Sequence, residues 1–200
     1  MKAVSNILIG LSLLLSVVAC KDERSKLGDQ YFKGGEYEKA IDAYTEYLRL
    51  EPTHIKSLYN RGRAYEELGK HQEALEDFNK VLKEDPQNAN ALLSLASDYF
   101  HRLQDYENTI FYAQKVLKVE ESALAHTLIG KGQQKLGNLE EALAAYNNAI
   151  SVNKEFADAY ISRGSLRTYL KQYSRACTDF KLASSLGATS ADQLVKKYCN

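Results

Sequence analysis

The strongest constraint on this chain is a pattern that recurs along almost its whole length. Similar six-residue segments begin, in chain order, at Glu36, Lys70, Asp105, Asn138 and Gln172. The steps between them are 34, 35, 33 and 34 residues. A fixed period of this length indicates a repeat protein, in which each unit buries its apolar face only by stacking on its neighbours.

The residues within each period favour helices. The chain is 44% hydrophobic and has only two prolines and no tryptophan, and its alanine, leucine, glutamate and lysine residues favour helix over sheet. Gly35, Gly69 and Gly137 suit a turn inside a repeat, and Pro52 and Pro86 suit the end of its second helix. We therefore expect an all-α chain in which every repeat is a pair of helices.

The repeats resemble the tetratricopeptide repeat, whose pattern combines small and aromatic residues at fixed positions. The first repeat matches it with Leu27, Gly28, Tyr31, Ala40, Tyr44 and Pro52, and the second with Gly62, Tyr65, Ala74, Phe78 and Pro86. Arg24 and Leu58 stand where tryptophan is usual, and the third repeat has one extra residue in its inner turn. The resemblance covers about residues 22–188 and implies a right-handed superhelical solenoid of five helical hairpins.

Three domains are expected. Residues 1–19 form a signal peptide, and residues 20–188 form five repeats at about 21–54, 55–88, 89–122, 123–156 and 157–188. Residues 189–200 form a C-terminal capping helix, for which the segment from Ser190 to Gln193 predicts a capping box.

The first twenty residues are typical of an exported lipoprotein. Lys2 precedes an apolar run at 7–19 that is too short to span a bilayer but suits a secretory signal. The run ends in Val17-Val18-Ala19-Cys20, which resembles the lipobox of bacterial lipoproteins and implies acylation of Cys20. An ordinary signal peptide or a simple anchor helix is the alternative. The following Lys21-Asp22-Glu23 resembles a surface-export signal of some Gram-negative bacteria, or is simply a solvated helix start.

Charge and motifs argue against several functions. The 26 basic residues balance the 26 acidic ones, so no general field attracts nucleic acid. The four histidines lack metal-ligand spacing, and we find no nucleophile elbow and no phosphate-binding glycine loop. We expect no enzyme activity, no cofactor, no metal and no small-molecule substrate.

The resemblance implies a protein or peptide partner bound on the concave surface that the first helices line. Positions 5, 9 and 12 of each first helix point away from the predicted core, including Ser25, Asp29, Ile161 and Ser165 at the two ends of the chain. The predicted groove consists of Tyr59, Arg63, Leu93, Ser97, Phe100, Thr127, Lys131 and Gln134. Its aromatic and aliphatic members would hold apolar side chains, and Arg63 and Lys131 would orient acids. A groove with no dedicated ligand, or a site on the outer face, is the alternative.

Two functions therefore stay open from the sequence. One is a membrane-anchored scaffold or assembly adaptor of the cell envelope, on the periplasmic or the cell-surface face of the outer membrane. The other is a surface lipoprotein that binds host or nutrient molecules. The residues with which some repeats of this type hold a terminal carboxylate are absent here, which argues against chaperone tails as partners.

Two cysteines near the C-terminus suggest a disulfide. Cys177 stands where Ile41 and Leu75 stand in other repeats, on a face that packs on the next helix, and Cys199 lies at the edge of the apolar face of the capping helix. Both are 11 residues from Ala188, so an antiparallel hairpin would set them side by side. Export would permit the bond, and packing without a bond is the alternative.

Overall fold

The computed structural model describes residues 24–199. The predicted signal peptide, the acylation site Cys20 and the charged segment after it lie outside the described residues, as does Asn200. All regular structure within 24–199 is helical. None of the described helices combines the length and the apolar character that a membrane crossing requires.

Eleven helices occupy the described residues, and they alternate as first and second helices of successive hairpins. The first helix, α1, spans 24–33. It is followed by α2 (Tyr37–Leu50), α3 (Ile55–Glu67), α4 (His71–Glu84), α5 (Ala89–Asp98), α6 (Tyr106–Leu117), α7 (Ala123–Leu136), α8 (Leu139–Val152), α9 (Ala157–Tyr169), α10 (Tyr173–Ser185) and α11 (Thr189–Tyr198).

The chain divides into two compact units, and the boundary lies between Pro86 and Gln87. The first unit contains α1–α4, in which α3 packs against both α2 and α4. The second contains α5–α11, in which each helix from α5 to α10 packs against the next and α11 packs on α10. The prediction of an all-α chain of helical hairpins with one additional C-terminal helix is confirmed.

A close approach between the two helices of a hairpin explains the glycines in the pattern. A Cβ atom added to Gly130 on α7 would lie 2.5 Å from Cε1 of Tyr146 on α8, which is too close for any side chain. The same contact joins Gly28 to Tyr44, Gly62 to Phe78 and Gly164 to Phe180. The third hairpin has Ala96 and Ala113 at these two positions, and both are fully buried. In the third hairpin alanine thus replaces the glycine of the first helix, and alanine also replaces the aromatic residue of the second helix.

The extra residue of the third repeat is absorbed by a change of helix type. The α5 helix continues into a single π-helical turn, Tyr99–Leu103, and the chain then turns at Gln104 in the left-handed region at φ 52°. The prediction placed this residue in the inner turn, and the structure accommodates it one turn earlier. Insertions of one residue commonly produce such π turns, often at functional sites.

The C-terminal helix begins without the predicted capping box. Its N-cap is Ala188, which has no side chain to cap the helix. The capping box would make Ser190 the N-cap and Gln193 its partner, whereas the helix already begins at Thr189. The Asp192 carboxylate accepts a hydrogen bond from the Ser184 hydroxyl on α10. The helix is held by packing, because Ala191 is fully buried against Tyr160 and Ala183.

Candidate peptide-binding groove

A groove of about 280 Å³ lies within the second unit. It is lined by the first helices of the fourth and fifth hairpins, by the π turn and by one second-helix tyrosine. Its lining residues are Phe100, Lys131, Gln134, Lys135, Tyr146, Asp158, Ile161, Ser162 and Ser165. The groove therefore combines aromatic and aliphatic surface with several polar groups, as peptide sites do.

An ion pair joins the two helices that line this groove. Lys131 Nζ on α7 donates a hydrogen bond to Asp158 Oδ2 on α9 over 2.8 Å. Both side chains remain partly exposed, at 23% for Lys131 and 44% for Asp158. A ligand can therefore reach the ammonium group without a large desolvation cost, while Asp158 fixes its position.

A second hydrogen bond fixes a polar group beside the ion pair. The Tyr146 hydroxyl donates to Gln134 Oε1 over 2.9 Å. Burial, together with the nearby charge of Asp158, raises the pKa of Tyr146, so its hydroxyl stays protonated and remains a donor at neutral pH. This bond orients the Gln134 amide, whose NH2 group can donate to a ligand. With Lys131 and exposed Lys135 nearby, donors predominate in the groove.

The apolar part of the groove comes from Phe100 and Ile161. Phe100 lies in the π turn, where its ring meets His101 edge-on with centroids 4.9 Å apart and lies 5.8 Å from the Tyr106 ring. These contacts hold the aromatic ring from two sides. A rigid aromatic ring beside hydrogen-bond donors is suited to an apolar side chain that neighbours a carboxylate or a backbone carbonyl.

The predicted groove residues of the first unit have partners on their own hairpin. The Tyr59 ring packs against Phe78 with centroids 5.7 Å apart. Arg63 Nε lies 2.8 Å from Glu66 Oε2, and its Nη2 lies 3.6 Å from Glu67 Oε1. The positive charge of Arg63 is thus balanced by its own helix.

The Lys131–Asp158 ion pair has a counterpart of opposite orientation in the first unit. Asp29 occupies the repeat position of Lys131, and Lys56 occupies that of Asp158. Lys56 donates to Asp29 Oδ2, and Asp29 Oδ1 accepts from the Tyr44 hydroxyl over 2.7 Å and from Asn60 over 2.9 Å. The fold therefore accepts this ion pair in either orientation. In the first unit the Asp29 carboxylate accepts hydrogen bonds from three donors. In the second unit the Lys131 ammonium group lines the groove.

Of the predicted groove residues, the structure brings Phe100, Lys131 and Gln134 together, and Ile161 and Ser165 of the same stripe join them. Leu93 and Ser97 are half-buried on α5 and do not line this groove. Thr127 requires a correction: it is fully buried, and its hydroxyl donates to the Ala123 carbonyl one turn earlier over 2.8 Å. A short side chain that bonds to its own helix offers nothing to a ligand.

The prediction missed Lys135, Tyr146, Asp158 and Ser162, which complete the lining. It considered only three positions of each first helix, and Tyr146 belongs to a second helix. Asp158 was detectable in principle, because its repeat position holds Lys56, the opposite charge, three repeats earlier. Comparing charges across equivalent positions would have identified it.

Cys177 and Cys199 lie on adjacent helices at the C-terminal end of the second unit. Their Cα atoms are 5.1 Å apart and their sulfur atoms are joined, at a sequence separation of 22. The bridge connects α10 to the end of α11.

Comparison with known proteins agrees with this architecture. The family described as "Tetratricopeptide repeat" matches residues 25–108, and the family described as "TPR repeat" matches residues 134–167. Together these matches cover more than half of the chain and include helices of both units. The chain therefore belongs to the tetratricopeptide-repeat proteins, a class that binds protein partners.

One relative and two solved structures illustrate what this chain is similar to. The chain is 25% identical over 195 residues to the DnaJ homolog subfamily C member 3 homolog of Dictyostelium discoideum, and the match covers 89% of this chain but only 39% of that protein. The crystal structure of MamA is 26% identical, with a TM-score of 0.71 over 83% of this chain and 97% of its own. PilW, a type IV pilus biogenesis factor, is 19% identical, with a TM-score of 0.73 over 90% of each chain, and supports the fold alone.

Proposed function

We propose that this protein is a membrane-anchored scaffold of the bacterial cell envelope, which binds a peptide segment of a partner protein in the groove of its second unit. The observation that carries the proposal is the arrangement around Lys131. There an accessible ammonium group, the Gln134 amide and the Phe100 ring line one groove. This chemistry suits a segment in which an acidic residue neighbours an aromatic or aliphatic one.

The proposed anchor is the lipid on Cys20, supported by the lipobox-like segment from Val17 to Cys20. Residues 20–23 separate this lipid from the start of α1. Four residues extend at most about 14 Å, so the first hairpin would lie close to its membrane. The proposed partners are accordingly membrane proteins, or proteins held against the same membrane.

Photo-crosslinking in living cells tests the binding site. A photoreactive residue at Ser165 would lie in the groove, and the same residue at Thr178 on α10 is a matched control, because both positions are exposed in the fifth hairpin. We expect a discrete adduct with a partner protein from position 165 and none from position 178. Equal adducts from both positions, or adducts only from position 178, would reject the groove as the binding site.

Fractionation tests the anchor separately. Replacing Cys20 by Ala should move the protein from the membrane to the soluble fraction, and the wild-type N-terminus should carry a lipid mass. Unchanged membrane retention would reject acylation at Cys20 and would leave the crosslinking result intact. Protease added to whole cells then distinguishes a periplasmic scaffold, which is spared, from a surface binder of host or nutrient molecules, which is digested.

A further inference from the structure

The C-terminal helix α11 is only lightly held by non-covalent contacts. Within residues 189–198, Ala191 alone is buried. The Asp192 carboxylate accepts a hydrogen bond from Ser184 on α10. The Tyr198 ring lies beside the Phe180 ring of α10, with centroids 5.9 Å apart. Because a ten-residue helix without a side-chain N-cap is marginal by itself, α11 depends on its attachment to the fifth hairpin.

A covalent bridge supplies the attachment at the far end of this helix. At its start α11 is joined to α10 by the short turn at 186–188. At its end Cys199 is the C-cap, and it is bonded to Cys177 on α10. Both cysteines are half-buried and therefore partly exposed to solvent. A small reductant can reach the bridge without unfolding of the hairpin.

One core cluster connects α11 to the wall of the peptide-binding groove. Ala191 on α11 packs in a buried cluster with Tyr160 on α9 and Ala183 on α10. Ile161, which lines the groove, packs against this same cluster. If α11 leaves, the atoms that touched Ala191 lose their partners on that side. The position of α11 is therefore coupled to the helix that forms one wall of the groove.

We propose that the Cys177–Cys199 bridge is a redox-sensitive link that keeps α11 docked and so controls peptide binding in the groove; the second half of this proposal rests on the proposed function. The reductant is a dithiol. One of its thiolates attacks a sulfur atom of the bridge and forms a mixed disulfide, and its second thiol then displaces the protein. The dithiol becomes a cyclic disulfide and supplies two electrons and two protons, which leave Cys177 and Cys199 as thiols.

The effect on the groove follows from the release of α11. Asp158, Ile161 and Ser165 line the groove from α9, the helix that loses its contact with Ala191. A more mobile α9 raises the entropy cost of ordering these side chains around a peptide. The oxidised chain therefore binds its peptide more tightly than the reduced chain.

Hydrogen exchange of the full chain tests the link without any partner. Dithiothreitol should accelerate amide exchange in α11 at least about tenfold. Exchange in α9 should rise by a smaller factor, at least about threefold, while exchange in α6 of the same unit stays unchanged. The double variant Cys177→Ser, Cys199→Ser is the matched control. It should exchange rapidly in α11 and α9 with or without dithiothreitol.

Partner capture tests the consequence for the groove. Wild type and the Cys177→Ser, Cys199→Ser variant each receive the photoreactive residue at Ser165 and are crosslinked in living cells. The adduct from the variant should be at least about fivefold weaker. If neither chain gives an adduct, the proposed function fails, and the exchange of α9 still decides whether the bridge controls the groove wall.

Any of three results overturns the proposal. The first is exchange in α11 or in α9 that dithiothreitol does not change. The second is an adduct from the double-serine variant as strong as that from wild type. The third is exchange in α10 as fast as in α11 after reduction, because the whole fifth hairpin would then unfold and the bridge would be purely structural.

Discussion

Arg163 binds Asp179 through two parallel hydrogen bonds, from Nε over 3.1 Å and from Nη2 over 2.7 Å. Three repeats earlier Arg61 binds Asp77 in the same way, over 2.7 Å and 2.8 Å. Both carboxylates are 1% exposed. At the same two repeat positions the first repeat has Leu27 and Ala43, and the fourth has Ile129 and Ala145. One site of the fold thus holds an ion pair in some repeats and an apolar pair in others.

The occurrence of both kinds of pair gives a prediction about Arg61 and Asp77. Asp77→Ala should cost about 3 kcal/mol of unfolding free energy, because it leaves the largely buried Arg61 guanidinium without its carboxylate partner. The double variant Arg61→Ile, Asp77→Ala copies the fourth repeat and should cost less than about 1.5 kcal/mol. Urea unfolding of the single and double variants measures the difference. A double variant as unstable as the single one would show that the two kinds of pair are not interchangeable.

Asp29 predicts a dependence of stability on pH. Burial by itself raises the pKa of this carboxyl, but hydrogen bonds from Lys56, Tyr44 and Asn60 outweigh it, so the pKa is lowered below 3.8. A lowered folded-state pKa contributes stability above the unfolded value, and that stability is lost as the pH falls through the folded value.

Asp29→Asn should therefore cost about 1 kcal/mol at neutral pH. The difference from wild type should shrink below about pH 4, where Asp29 of the unfolded chain begins to be protonated while Asp29 of the folded protein is still ionised. Urea unfolding at several pH values measures it. A difference that stays constant into strong acid would show that the charge of Asp29 is not the stabilising feature.

Lys171 predicts a stabilising substitution. It has a positive φ of 60° in the turn of the fifth hairpin, where other hairpins have Gly35, Gly69 and Gly137. A side chain in this conformation costs roughly 1 kcal/mol relative to glycine. Lys171→Gly should therefore raise the unfolding free energy by about that amount, and Gly137→Lys should lower it similarly. Thermal melting of the two variants measures both effects. Two melting temperatures that shift in the same direction would contradict this explanation.

Most of the fold was predictable because each repeat shows the same pattern of small and aromatic residues. The small residues at Gly28 and Ala40 recur with aromatic partners, and a recurring pattern at a fixed period leaves few alternative folds. The π turn was harder to predict, because an insertion near a turn can be absorbed at several adjacent positions. The capping box is absent because the helix begins at Thr189, which places Ser190 inside the first turn instead of at the N-cap.

The groove was predictable only in part. Helical periodicity correctly placed Phe100, Lys131 and Gln134 on one surface. It could not show that Thr127 bonds to its own helix, since this depends on a side-chain rotamer. It also did not reveal that Lys131 is paired with Asp158, because that contact depends on the distance between two hairpins.

The cysteine pair predicts a covalent link between α10 and the end of α11. A bridge that closes 22 residues should stabilise the C-terminal end by about 3 kcal/mol in the chain-entropy model. Thiol labelling of denatured, unreduced protein isolated from its native cells should find both Cys177 and Cys199 blocked. Reduction should then accelerate amide exchange in α11 more than in α9. Two free thiols in the unreduced protein would reject the bridge.

The positive charge of Lys131 in the groove is proposed to bind the partner, and a charge swap between Lys131 and Asp158 tests this role. The double variant Lys131→Asp, Asp158→Lys reproduces the orientation that Asp29 and Lys56 already have in the first unit. The ion pair is therefore kept, and we expect a melt close to wild type. The photo-crosslinked adduct at position 165 should fall at least about tenfold. An undiminished adduct from a normally folded swap variant would contradict the claim.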